Sequence, residues 1–371
     1  DAKIDATNLI SIATASSGDI HVSDLVEIQG TTTSLNTLYG YSHVKGLGNE
    51  SISITDNVGN SSHLTTLDGY TSGTINAESL YSITGILSEL NTIYDSSQIS
   101  GLNNEDISLT DTSISSTYDV SNLNTLDGRT SGIVDAGSLT SISGLLSDLI
   151  TSYQASGITN LGNEAITLKD TGTVAASHLT TLASLNSTGT INASSVSTIT
   201  GSVTEIIAVY SDSKITKPTG VDLTVNSGTV SVDQARSLNA YTTGTVTGTI
   251  TPGTTIAQML DGAVTINDLN AKGLTEPYEG NAYTITIDSS DSSVKANDLT
   301  LLMSLTSVAI DASSVTEITG SILETMAVYA EFPRQILNLG NGKKVELMEL
   351  IKEVENQLGK KAKINYMKFQ K

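Results

Sequence analysis

The sequence predicts a mainly β protein, a right-handed β-solenoid of about six repeats of about 58 residues with short helical corners, closed by a small C-terminal strand–helix–strand cap. Three observations lead there. First, "SHLTTLDGYTSGTINAESLYSITG" (62–85) and "SNLNTLDGRTSGIVDAGSLTSISG" (121–144) align without a gap. Second, the closing glycine recurs as Gly30, Gly85, Gly144, Gly201, Gly262 and Gly320, at spacings of 55, 59, 57, 61 and 58. Nine residues after it stand Tyr39, Tyr94, Tyr153, Tyr210 and Tyr329, with Ala271 as the exception. Third, each copy holds short β-branched runs in which apolar and small polar residues alternate, as in a strand with one buried face.

Taken in order, each copy carries an internal echo: "GTVAASHLTTL" (172–182) returns as "GTINASSVSTI" (189–199). Gly and a β-branched run predict a strand; Ser before "xLxxL" predicts an N-cap and one helical turn. "ILSELNTIY" (86–94) predicts a longer helical turn, leading through "SSQIS" (96–100) to the strand "DISLT" (106–110). One such unit cannot bury its apolar face alone, but neighbours stacked in register can. The alternative is an α/β solenoid with helices lining one whole side. Three of the four prolines, Pro218, Pro252 and Pro277, fall in or beside the least regular stretch, 215–290, where a bend or local break is expected.

Composition narrows the function classes. With no Cys and no Trp, and two Phe in 371 residues, stability must come from stacked aliphatic side chains and backbone ladders. The regular recurrence of Leu, Ile and Val argues against disorder. Residues 1–332 hold 9 basic and 35 acidic side chains, whereas 333–371 hold 9 basic and 4 acidic. An acidic body repels nucleic acid and anionic membranes, so neither is an expected partner. No apolar run is long enough for a membrane span and no signal peptide is visible. The chain begins in mid-repeat at Asp1, as a fragment or processed product would.

"LNTLDG", "TSGTINA", "SITG" and "GLGNE" resemble repeats of very long, acidic, Cys-free surface proteins of marine bacteria, cyanobacteria among them. The resemblance covers nearly all of 1–332 and implies a secreted or surface-displayed structural or adhesive role, with no catalytic residues to transfer. Residues 333–371 form a second domain in a different vocabulary. Leu347, Leu350, Ile351, Val354 and Leu358 share one face of a predicted helix that Gly359 ends. Asn338, Leu339, Gly340, Asn341, Val345, Leu347, Met348, Ile351, Leu358, Gly359, Lys360, Lys361 and Ala362 resemble the C-terminal segment of nucleotide-sugar epimerases, UDP-glucuronate epimerases in particular. The dinucleotide-binding unit of that family is missing, so the tail implies a cap over the last coil rather than an enzyme. Part of the likeness, "NLGNG" at 338–342, also continues the repeat's own "NLGNE".

No residue is assigned a catalytic role, and no cofactor is expected. Tyr210 and Lys214 match a Tyr-x-x-x-Lys acid–base pair, yet Tyr210 is this copy's marker tyrosine and the other copies lack the lysine. His21, His43, His63 and His178 have no zinc spacing. Asp56, Asp111 and Asp170, together with Asp68 and Asp127, are weak Ca²⁺ candidates should they stack in rows; solvated turn positions are the plainer reading. The expected function is a stiff acidic rod outside the cell or on its surface, spacing or adhering, with other copies or cell-surface material as partners and self-association possible. The alternatives are a polysaccharide-active β-helix enzyme and a Ca²⁺-dependent or ice-binding module, "TVTGTIT" (245–251) having the look of the last.

Overall fold

The computed structural model describes residues 3–115, 117–265, 267–268, 281–321, 324–325 and 328. Tyr329, Ala271, Pro277 and the whole 333–371 tail lie outside the described residues. The chain divides into two compact units, Asp1–Ile199 with Glu205–Pro218, and Thr200–Thr204 with Thr219 onward.

The architecture is α/β, with about 32% helix and 26% strand, and not a mainly β solenoid or β-helix. In the first unit the "SxLxxL" corners are full helices of two turns or more. They are α1 (Ala6–Ala15), α2 (Thr32–Tyr39), α3 (Ser61–Asp68), α4 (Leu87–Asp95), α5 (Val120–Asp127), α6 (Leu146–Gln154) and α7 (Ala176–Leu185). The reason is a third apolar or small residue three before the first leucine. Ser61, Leu64 and Leu67, or Val120, Leu123 and Leu126, are all buried, and three contacts at i, i+3 and i+6 need two turns. Consecutive helices from α1 to α7 pack side by side. The α/β alternative therefore names the class that the structure has.

The strands explain why the repeat is 58 residues long. Between α3 and α4 lie two, Ile75–Asn76 and Ser82–Gly85. Between α4 and α5 lie three, Ile99–Ser100, Asp106–Leu109 and Ser113–Ile114. Two and three alternate again on either side of α6. One copy is thus two helices and five strands, and spans more than two steps of the parallel ladder. Among the described residues these strands pair in parallel. The first row runs Ile4, Ile28, Ile52, Ile75 and Ile99, about 24 residues per step. A second runs Ile83, Ile107, Val134 and Ile158, and a third Ile114, Ile142, Ile166, Ile191 and Ile215. The middle strand of each three-strand connection serves two neighbours: Asp106–Leu109 pairs with Ser82–Gly85 on one side and Val134–Asp135 on the other.

The second unit keeps the parallel ladder with fewer strands. Asp222–Ser227 pairs with Val246–Thr249, which pairs with Ala282–Thr284. Its helices after the boundary include α9 (Val232–Tyr241), α10 (Ile256–Leu260) and α11 (Ala296–Met303); α8 (Val203–Ser211) spans the division point.

Glycine is required where coils touch. A Cβ on Gly132 would sit 2.3 Å from the carbonyl oxygen of Glu105 in the preceding coil, and that backbone cannot yield. Gly128, at the end of α5, has nothing nearer than 3.5 Å and helical dihedrals. Gly132→Ala is therefore expected to destabilise by about 1–3 kcal/mol, while Gly128→Ala is neutral or gains up to about 1 kcal/mol. Urea midpoints of the two variants check the contrast.

Candidate functional site

The marker residues of the repeat converge on the joints between coils. Gly30, Gly85 and Gly144 each end a strand that leads directly into α2, α4 or α6. Their missing side chains admit the first residue of the preceding helix: Ala6 at Gly30, Ser61 at Gly85, Val120 at Gly144. Gly201 lies in the strand Thr198–Ser202 ahead of α8, and Gly320 follows the strand Glu317–Thr319 with Ala296 at 3.3 Å from a built Cβ. Gly262 differs: it follows α10 with φ +73° and open space around it, so in the most diverged copy it is a turn residue rather than the end of a strand.

The marker tyrosines Tyr39, Tyr94 and Tyr153 stand in the last turns of α2, α4 and α6. Each donates its hydroxyl to a glutamate eleven residues on. Tyr39 binds Glu50, Tyr94 binds Glu105 at 2.8 Å, and Tyr153 binds Glu164 at 2.5 Å. These three glutamates are the last letter of "GLGNE", "GLNNE" and "NLGNE", and they are buried. Backbone amides of the same turn complete the cradle: Gly48 (2.8 Å) and Asn49 for Glu50, Asn103 (3.0 Å) for Glu105, Gly162 (2.9 Å) and Asn163 for Glu164. A turn whose N–H groups converge favours an anion, and the side chain supplies it internally. Burial, and next the carboxylate partner, raise the Tyr94 and Tyr153 phenols well above the usual range.

The following coil then locks the turn. Thr71, Thr130 and Asn186 donate side-chain hydrogen bonds to the carbonyls of Glu50, Glu105 and Glu164, at 2.8, 2.7 and 2.9 Å. Those residues open the "TSG" and "NSTG" phrases, whose glycines are the ones that cannot carry a Cβ. In the fourth copy Val221 takes the place of the glutamate. There burial pushes the Tyr210 phenol up to about 12, and Lys217 sits 5.5 Å over its ring. The Lys217 ammonium, its pKa lowered by burial, caps the end of α8 through the carbonyls of Val209 and Asp212. Lys214 donates to the carbonyls of Ala183 and Asn186, so the Tyr-x-x-x-Lys spacing brings no acid–base pair together.

The aspartates raised as Ca²⁺ candidates turn out to be helix caps given across coils. Asp56, Asp111 and Asp170 accept the first backbone amides of α2, α4 and α6, from Thr32 (2.5 Å), Leu87 (2.7 Å) and Leu146 (2.8 Å). Ile86 and Leu145, at the N-cap positions of α4 and α6, make no capping bond of their own, so the donated carboxylate fills that role. Asp291 does the same for Ile256 of α10. Asp68 accepts from Ser96 at 2.7 Å; in the next copy Ala155 stands in place of that serine, Asp127 lies against Gly157, and burial raises its pKa. Among the described residues no group of three or more His, Cys, Asp or Glu is placed to hold a metal ion. His43 Nε2 lies 2.9 Å from the Ala13 carbonyl; His21 stands on the neighbouring strand Ile20–His21, and His63 and His178 stand on α3 and α7.

Sequence reasoning found the tyrosine and "GLGNE" markers but not their bond. The signal was present as the constant spacing of eleven from Tyr39 to Glu50, Tyr94 to Glu105 and Tyr153 to Glu164. No protein-family model and no curated protein matches the chain.

Asp111→Ala is expected to cost about 1 kcal/mol through loss of the α4 cap, and Tyr94→Phe about 1–3 kcal/mol by leaving the buried Glu105 short of a donor; denaturant titration reads both. The raised tyrosines also set an alkaline limit. Folding holds the phenol protons more tightly than the unfolded chain does, so their contribution is complete below about pH 10 and lost as pH rises beyond it. Thermal melts across that range should fall less steeply for Tyr94→Phe than for the native chain.

Proposed function

We propose that the protein is a non-catalytic structural or adhesive module, displayed outside the cell or on its surface. The observation that carries the reading is where the recurring polar groups go. Glu50, Glu105, Glu164, Asp56, Asp111 and Asp170 each hold one segment of the coil stack to another, in hydrogen bonds already satisfied by the chain itself. Outward strand positions in the first row are small and polar, as at Ser53, Asn76 and Ser100. With a net charge of −21, such a surface repels anionic polymers and stays dispersed. No described helix is long and apolar enough to cross a membrane. The resemblance to acidic surface repeats supports an extracellular setting, and other copies or cell-surface material as partners. Loose Ca²⁺ binding at outward carboxylates is compatible with this role.

The test is adhesion of beads coated with the protein, to one another and to polysaccharide-coated surfaces, with EDTA or millimolar Ca²⁺. Saturable, salt-sensitive adhesion with no turnover of a hydrolase and lyase substrate panel is the expected result. Turnover that tracks the purified protein would overturn the reading.

A further inference from the structure

One position of the repeat serves the ends of the odd-numbered helices. It stands directly before the short strand that follows each even-numbered helix. His43 precedes Val44–Lys45, Gln98 precedes Ile99–Ser100, Gly157 precedes Ile158–Thr159 and Lys214 precedes Ile215–Thr216. His43 Nε2 lies 2.9 Å from the Ala13 carbonyl in the last turn of α1. Gln98 donates its side-chain amide to the Thr71 carbonyl, just past α3, at 2.8 Å. The Lys214 ammonium binds the carbonyls of Ala183 and Asn186 at the end of α7. The last carbonyls of a helix lack partners within it and carry the negative end of its dipole, so donors and cations are favoured there.

The third copy breaks the series. Gly157 has no side chain to offer, and a Cβ there would collide with the Asp127 carboxylate at the end of α5. A second donor changes as well, since Ala155 stands where Ser96 donates to Asp68 in the preceding copy. Among the described residues no hydrogen-bond donor or cation reaches the Asp127 carboxylate, which is half-buried. Arg129, two residues on, is turned to the Asn91 carbonyl and Asp95 of the preceding helix. Burial raises the pKa of Asp127, as for a charge with nothing to offset it. The helix dipole opposes an acidic side chain at this end as well.

We propose that the end of α5 is a site for one Ca²⁺-like divalent cation. The fourth copy supplies the geometry, because Ala183 and Asn186 there hold the positions of Asp127 and Thr130. One ammonium bridges those two carbonyls, so a cation at the same place in the third copy meets the carbonyls of Asp127 and Thr130. The Asp127 carboxylate enters through the space that Gly157 leaves and adds a full negative charge. Carbonyl and carboxylate oxygens with water completing the shell suit Ca²⁺, which accepts about six to eight oxygens in flexible geometry; Mg²⁺ demands a strict octahedron. The cation does for α5 what Lys214 does for α7.

This site goes further than loose binding at outward carboxylates. Its test reads stoichiometry and melting, so its failure leaves the adhesive reading untouched. Calorimetric titration of the full chain with CaCl₂ is run in about 0.1 M NaCl, which screens exposed carboxylates. It should show one saturable site, weakened at least about tenfold by Asp127→Asn. Asp68→Asn should bind as the native chain does, because Ser96 already serves that carboxylate. The native melting temperature should rise with Ca²⁺, since a ligand of the folded state stabilises by mass action. Ala155→Ser combined with Gly157→Gln restores the second copy's donors and should abolish that rise. No saturable site, a site indifferent to Asp127→Asn, or a Ca²⁺-dependent melt that survives the double substitution would overturn the proposal.

Discussion

The backbone amide of Leu87, at the start of α4, is capped by the carboxylate of Asp111, 24 residues further on. That bond states the constraint on which the structure depends: a coil's polar groups are completed by its neighbour. The carbonyl of Glu105 is taken by Thr130, and the space beside Val120 is left by Gly144. A buried backbone group without a partner costs about 1–3 kcal/mol, so a coil removed from the stack loses its caps and its apolar cover together. Stability becomes a sum over neighbouring pairs, the energetics of a repeat array. Repetition in the sequence follows from this, because every joint asks for the same residues at the same places.

The glutamate turn shows how the array handles charge. A side chain that closes back on its own turn's amides neutralises converging dipoles without a cation, and the tyrosine hydroxyl from eleven residues earlier supplies the remaining donor. Where the glutamate gives way to Val221, Lys217 moves over the tyrosine ring and binds the helix-end carbonyls instead. The two solutions hold the same helix end, one with an anion in the turn and the other with a cation at the negative end of the dipole. Several basic side chains are likewise drawn inward or paired, Lys3 with Glu27, Lys169 with Asp119, Arg236 with Asp233 and Asp261. Acidic composition therefore overstates how many carboxylates are available to partners, although the sign of the surface stays negative.

The sequence displayed the repeat, the strand-ending glycines and the tyrosines, because period and identity are local properties of a string. It did not display that the ladder repeats every 24 residues or so, less than half a copy. Leu64 and Leu67 read as one helical turn, since the pattern "SxLxxL" starts at Ser62 and omits Ser61, the small residue before it that also packs. With the pitch unknown, a separation of 24 residues carries no meaning, and Asp56, Asp111 and Asp170 read as solvated turn positions, or weakly as a cation row, rather than as caps. The prolines marked the irregular stretch near which the two units divide. Gly262 keeps the spacing of the closing glycines, yet its φ of +73° places it in a turn after α10.

What varies between copies is as instructive as what recurs. The exposed position at the start of the strand before each even-numbered helix is Val26, Tyr81, Thr140 and then Ser197, and the residue after the "DG" turn is Tyr70 in one copy and Arg129 in the next. Tyr70 stacks on Tyr39 with centroids 5.1 Å apart, whereas Arg129 reaches the Asn91 carbonyl and Asp95. These substitutions leave the ladder and the caps untouched because they face outward. A stack built in this way separates two tasks: inward residues are fixed by the joint, and outward ones are free to differ along the array. Under the adhesive role we propose, selectivity for a partner would reside in the second set, spread over several coils.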